Sequence, residues 1–178
     1  MTGTVAYKFL RPGGVGPFTG FQWPLPENGD PGRWVEADGS LALCANGVHA
    51  CAPETLARWL DEELWALELE GDVEREGSLL VGRRGRLVAP IARWDAGMRR
   101  EFALACAERA AGRKGELAEE YARDAATFAA KVVSAQDAAE ASYVAARAAE
   151  AEERGGFDAE RRWQSLWLAD RLGLEREG

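Results

Sequence analysis

The sequence predicts an α+β fold, with a small antiparallel β-rich module carrying one short helix over residues 1–95 and an Ala-rich antiparallel helical module over residues 96–178. Three observations point there. All seven prolines and five of the seven tryptophans fall in residues 1–95, and alanine dominates the proline-free remainder. Pro and Gly punctuate short strands, whereas Ala-rich, Pro-free sequence favours helix. Residues 63–70 (ELWALELE) set Trp65, Leu67 and Leu69 against Leu64, Ala66 and Glu68, the period of a strand. Asn46-Gly47 lies between two apolar runs, the strongest short-range signal for a two-residue type I′ turn.

Taken in order, residues 4–10 form a strand with Val5, Tyr7 and Phe9 on one face. The glycine-rich segment 11–16 (RPGGVG) precedes no helix signal and reads as a loop. Residues 33–37 are a short strand, and the Asn46-Gly47 hairpin follows. Residues 53–60 read as a short amphipathic helix whose stripe is Leu56, Trp59 and Leu60. Residues 79–81 and 86–89 are further strands around Arg83, Arg84 and Gly85. Asp95 caps a helix over 96–111, with Met98, Phe102 and Ala105 inward. Residues 116–153 are long enough for one helix, but Ser134-Ala135-Gln136-Asp137 resembles an N-cap and places a break there. Asp158 caps a last helix whose stripe is Trp163, Leu166, Trp167 and Leu172.

A two-residue hairpin turn pairs Cys44 with His49 and Ala42 with Cys51. Cross-strand partners share a face, so Cys44, His49 and Cys51 gather in one small area. Three readings of that face stand side by side. In the first it is a second buried face, with cysteine acting as a small hydrophobe. In the second, Cys44, His49 and Cys51 are zinc ligands, with Cys106 or a carboxylate as the fourth. In the third, Cys51 is a reactive thiol beside His49, two residues before Pro53 at a helix start. Cys44 and Cys51 are diagonal neighbours about 7–8 Å apart, too far for an unstrained disulfide.

Charge and length set further bounds. The net charge of −8 disfavours nucleic acid and anionic membranes as partners. No segment approaches the roughly eighteen apolar residues of a membrane span, and the N-terminus lacks a secretory apolar region. Three cysteines fit a reducing cytoplasm better than a disulfide framework. Arg83, Arg84 and Arg86 offer either an anion clamp or an offset to the acidic run 68–76. No nucleotide-loop, dinucleotide-fold, serine-hydrolase or zinc-protease motif occurs.

The segment Cys44-Ala45-Asn46-Gly47-Val48-His49-Ala50-Cys51, after the Tyr7-Lys8-Phe9 strand, resembles a family of uncharacterised bacterial and phage proteins with a C-x-N-G-[FV]-H-A-C segment. The resemblance covers roughly residues 5–95. The tail from Trp167 to Leu174 is similar to that of actinobacterial members with Ala-rich helical tails. The family resemblance carries no activity with it. In element order the β-rich half also resembles small ADP-ribosyltransferase-like domains. That resemblance implies Tyr7 and His49 at a nicotinamide pocket and Arg84 or Arg86 on the pyrophosphate of NAD; the family's catalytic Glu has no placed counterpart.

The expectation is a cytoplasmic, non-enzymatic protein-interaction module, in a phage- or defence-related setting. Its partner, or a second copy of the chain, would dock on the helical half at Trp163 and Trp167. The alternatives are an NAD-using transferase built on Tyr7 and His49, and a zinc-stabilised module.

Overall fold

A computed structural model describes residues 4–42 and 45–175. They form an α+β protein, with a five-stranded antiparallel sheet followed by four helices. Two compact units emerge. The β unit holds the chain up to Pro53, Asp61–Ala92 and Glu175; the helical unit holds Glu54–Leu60 and Arg93–Leu174. The units depart from a division after residue 95: Glu54–Leu60 groups with the helices, Glu175 groups with the strands, and the boundary between them falls between Ala92 and Arg93.

The strands are β1 (Thr4–Leu10), β2 (Val35–Glu36), β3 (Val48–Ala50), β4 (Glu63–Glu76) and β5 (Leu79–Pro90). β1 pairs with β4, from Thr4 opposite Leu69 to Leu10 opposite Glu63. β4 and β5 form a long hairpin, and β2 and β3 share the far edge of β5. Cys51 then bridges back to Tyr7 of β1 through reciprocal N–H to carbonyl bonds of 2.8 and 2.9 Å. The path β1–β4–β5–β3–β1 is closed, so the sheet curls into a small barrel. Closure removes unpaired strand edges that would otherwise recruit other chains.

The barrel interior holds Ala6, Leu10, Val48, Leu67, Leu69 and Leu87. Trp65, Leu67 and Leu69 point inward, as their alternation predicts. Gly85 is required where these side chains meet. A Cβ there would lie 2.7 Å from Val48 Cγ1 and 3.1 Å from Leu69 Cδ2. The loop 11–16 is folded over Glu63, whose carboxylate accepts from the backbone N–H of Gly13 and Gly14 at 2.7 and 3.1 Å.

Two expectations are overturned. Residues 79–81 and 86–89 are one continuous strand. The Asn46-Gly47 hairpin does not form either: His49 lies opposite Val81 of β5 and Val48 opposite Gly82. A type I′ turn needs positive φ at both central residues. Among the described non-glycine residues only Asn28 has positive φ. Asn46 instead donates its side-chain amide to the carbonyls of Asp38 and Ser40, at 2.5 and 2.8 Å, and its backbone bonds with Ala42. Local turn chemistry loses to the longer apolar ladder that β5 offers Val48–Ala50.

The helical unit comprises α1 (Ala96–Ala110), α2 (Glu116–Ala129), α3 (Ala135–Glu152) and α4 (Gly156–Leu172). Asp95 caps α1, accepting from Met98 N–H at 2.8 Å. Ser134 and Asp137 form a capping box at the start of α3, so residues 116–153 are two helices. α3 packs against all three other helices. Its buried face is Ala135, Ala138, Ala141, Ala145, Ala148 and neighbours, almost all alanine, which lets the helices approach closely. At Gly156 a Cβ would overlap the Ala149 carbonyl oxygen. The N-cap of α4 is Gly155, not Asp158, which sits in the first turn. Glu54–Leu60 contains most of a 3-10 turn, Pro53–Arg58, rather than an α-helix; Leu56 is fully buried while Trp59 and Leu60 are partly so.

Candidate functional site

In the β unit the expected site residues come together around the closing bridge. β1 places Tyr7 and Lys8 on opposite faces, and β3 runs into Cys51 beside them. The Cys51 thiol is buried and donates to the Tyr7 carbonyl at 3.1 Å. The Tyr7 hydroxyl donates to the Glu175 carbonyl at 3.4 Å, and Tyr7 is only 3% exposed. Burial raises its phenol above the ordinary value. His49 is half-buried, with Nδ1 3.0 Å from the Gly47 carbonyl, an acceptor that assigns the proton to Nδ1. Burial, with a contribution from Lys8, lowers the imidazole below its usual range despite that hydrogen bond.

Among the described residues no group of three His, Cys, Asp or Glu side chains could hold a metal ion. Cys44 lies outside the described residues. Cys106 is fully buried in α1 of the helical unit, and burial raises its thiol.

Lys8 was not anticipated. Its Nζ donates to the His49 carbonyl at 2.5 Å and sits 5.1 Å from the centroid of the Trp23 ring. Burial pulls the ammonium down to about 8, and among the described residues no carboxylate pairs with it to offset the loss of water.

Arg84 and Arg86 pair with the acidic run across the β4–β5 hairpin. Arg86 meets Glu68 at 2.7 Å and Arg84 meets Glu70 at 3.2 Å. Both guanidinium groups also stack on Trp34, 4.3 and 4.4 Å from its centroid. Arg83 donates to the carbonyls of Ala37 and Gly39. The second sequence reading, in which these arginines offset the acidic run, describes this arrangement.

On α4 the buried face is Glu160, Arg161, Gln164, Ser165, Leu168 and Leu172, one helical step away from the expected stripe. Trp163 and Trp167 are partly buried. Arg109 stacks on Trp163 at 4.5 Å, while Arg171 and Phe102 flank Trp167 at 5.1 and 5.9 Å.

The polar side chains beneath form a network. Glu160 accepts from Arg109 and Arg113 at 2.9 and 2.7 Å, while its Oε1 is buried without a partner. Arg161 donates through Nη1 to Ser142 Oγ and Gln164 Oε1, at 3.0 and 2.9 Å, and through Nη2 to the Ala57 carbonyl. Ser165 receives the Ala57 N–H at 3.0 Å. Both backbone groups of Ala57 are thereby anchored to α4.

Next to this anchor opens a pocket of about 360 Å³, lined by Arg58, Gln136, Ala139, Glu140, Tyr143 and Arg161 among others. Arg58 pairs with Asp158 at 2.6 Å. Among the described residues no carboxylate pairs with Arg161, and burial lowers its guanidinium to about 10, with Arg58 adding to the effect. The signal for this site was the polar run on α4 at helical spacing, Arg161, Gln164 and Ser165.

Neither a protein-family model, nor a curated protein, nor a solved structure matches the chain. No helix among the described residues is long and apolar enough to cross a membrane.

Proposed function

We propose that the chain is a non-enzymatic interaction module whose binding face lies on the helical unit. The pocket beside Arg161 carries this reading. In the β unit, the groups with chemical potential hold their own chain: Cys51 on Tyr7, Tyr7 on Glu175, Lys8 on His49, and Arg84 and Arg86 on glutamates. In the helical unit an open concave site is lined by Arg161, a buried cation whose hydrogen-bond partners among the described residues are all neutral. The surface expected at Trp163 and Trp167 moves accordingly, since arginines of the same chain stack on both rings. Membership of the bacterial and phage family that Cys44–Cys51 resembles, and a phage- or defence-related setting, belong to the same proposal.

The test has two arms. Purified protein is incubated with NAD and released nicotinamide is quantified. Proteins captured from cells that produce the chain are compared between wild type and a Gln136→Ala/Tyr143→Ala variant. The expected result is no nicotinamide release and a partner depleted several-fold by the variant. Nicotinamide release that His49→Ala or Tyr7→Phe abolishes would reverse the reading in favour of a transferase.

A further inference from the structure

We propose that the pocket beside Arg161 binds a carboxylate, supplied either by a small organic acid or by the C-terminus of a peptide. This deepens the interaction-module reading and rests on it. The argument begins with burial. Arg161 is 6% exposed, and its hydrogen-bond partners among the described residues are neutral: Ser142, Gln164 and the Ala57 carbonyl. A buried cation facing only neutral acceptors is under-compensated, and an anion in contact with it recovers much of the lost solvation. Those three bonds use both Nη1 protons and one on Nη2. They leave the Nε–H and one Nη2–H, and guanidinium donors of this kind match a planar carboxylate.

The surroundings select among anions. Arg58 also lines the pocket, and its own pairing is with Asp158, whose side chain is 78% exposed. Such a surface pair contributes little and yields readily to a ligand. Glu140 lines the pocket as well. Against Arg58 and Arg161 it leaves the ionised side chains lining the pocket with a net charge of +1, which a monoanionic carboxylate neutralises and a phosphate dianion overshoots. Ala139, Leu60 and the ring of Tyr143 supply apolar wall. The volume of about 360 Å³ admits a body the size of one or two residues, at the lower end of ligand sites, which span roughly 300–1,000 Å³. The ligand is thus a monoanionic carboxylate with an apolar neighbour.

The experiment uses the full chain and two matched probe sets. One set is N-acetylated apolar amino acids and their amides. The other is hexapeptides randomised at the last two positions, made as free acids and as C-terminal amides. Retention on ultrafiltration is read by mass spectrometry and the strongest binders are titrated by calorimetry. Free acids should be retained at least tenfold better than amides, and Ala139→Glu, which adds a carboxylate to the wall, should abolish the difference. Retention in the first set alone identifies a small acid as the source; retention in the second alone identifies a chain end. Equal retention of acids and amides, including none of either, overturns the proposal, as does retention unchanged in Ala139→Glu. The acid–amide comparison needs no variant, so it stands even where a substitution impairs folding. A cellular partner captured equally by wild type and Ala139→Glu sinks the carboxylate site while leaving the interaction module in place; nicotinamide release sinks the module itself.

Discussion

Replacing Lys8 by Met removes a charge that the β barrel accommodates poorly. Lys8 lies on the face of β1 that carries Ala6 and Leu10, with His49, Cys51 and Trp23 around it and, among the described residues, no carboxylate paired with it. Burial lowers its ammonium from 10.5 to about 8. At about 1.36 kcal/mol per pH unit, the folded chain disfavours the protonated form by up to about 3 kcal/mol. Because the folded value lies below the unfolded one, the unfolded chain binds the extra proton between pH 8 and 10.5. Stability from this group therefore rises through that window; the cost is fully present below pH 8 and gone above 10.5. Met keeps the unbranched shape but loses the bond to His49 and the contact with Trp23, together about 1–2 kcal/mol. Lys8→Met should thus stabilise the β unit by about 1–2 kcal/mol at pH 7, and the gain should vanish or reverse by pH 10. Urea unfolding followed by tryptophan fluorescence at several pH values reads this directly. Tyr7 and other alkaline groups titrate in both proteins and cancel in the difference. A variant less stable than wild type by more than about 1 kcal/mol at pH 7, by an amount constant with pH, would refute the reasoning.

Two other substitutions probe the packing of each unit. Gly85→Ala forces a methyl against Val48 and Leu69 and should cost about 1–3 kcal/mol in thermal or urea unfolding. Glu160→Gln removes the carboxylate that Arg109 and Arg113 share; Arg113 keeps Glu152 at 2.8 Å and the Arg109 side chain is 43% exposed, so the cost should be about 1–2 kcal/mol rather than the full penalty of a sealed pair, measured as a lower urea midpoint.

Where a local pattern coincides with the final environment, the sequence is a sufficient guide. Residues 63–70 alternate because one face of β4 lines the barrel. Asp95 and Ser134 mark helix starts because each side chain satisfies an N–H that the helix itself cannot. The failures share a different cause. Asn46-Gly47 carries a strong local turn signal, yet Val48–Ala50 finds its partner about thirty residues later in β5, which a short-range rule does not see. The stripe on α4 was misplaced because aromatic residues were assigned to the interior. Trp163 and Trp167 instead each carry one stacked arginine and stay partly exposed, while Arg161 and Gln164 turn inward where Ser142 and the Ala57 backbone supply partners. Those partners lie 19 and 104 residues away along the chain, beyond the reach of periodicity. The hairpin expected to gather Cys44, His49 and Cys51 does not form; what the structure joins is Cys51 to Tyr7, through a bridge between β1 and the residue after β3.

The composition of the helical unit bears on why its polar network exists at all. Alanine faces bring α3 close to its neighbours but bury little apolar area per residue, about one methyl each. A core of that kind tolerates many registers, because small side chains interdigitate weakly. Arg161, Gln164 and Ser142 do not: each bond demands one relative position of α3 and α4, and Arg161 and Ser165 extend the demand to Ala57. Register alone, however, asks only for donors and acceptors and not for a net charge, whose desolvation is an added cost. The retention of a full charge beside an open pocket is therefore the feature that register does not explain. A ligand carboxylate does explain it, because the same guanidinium that fixes the helices then finds its countercharge only when the pocket is filled.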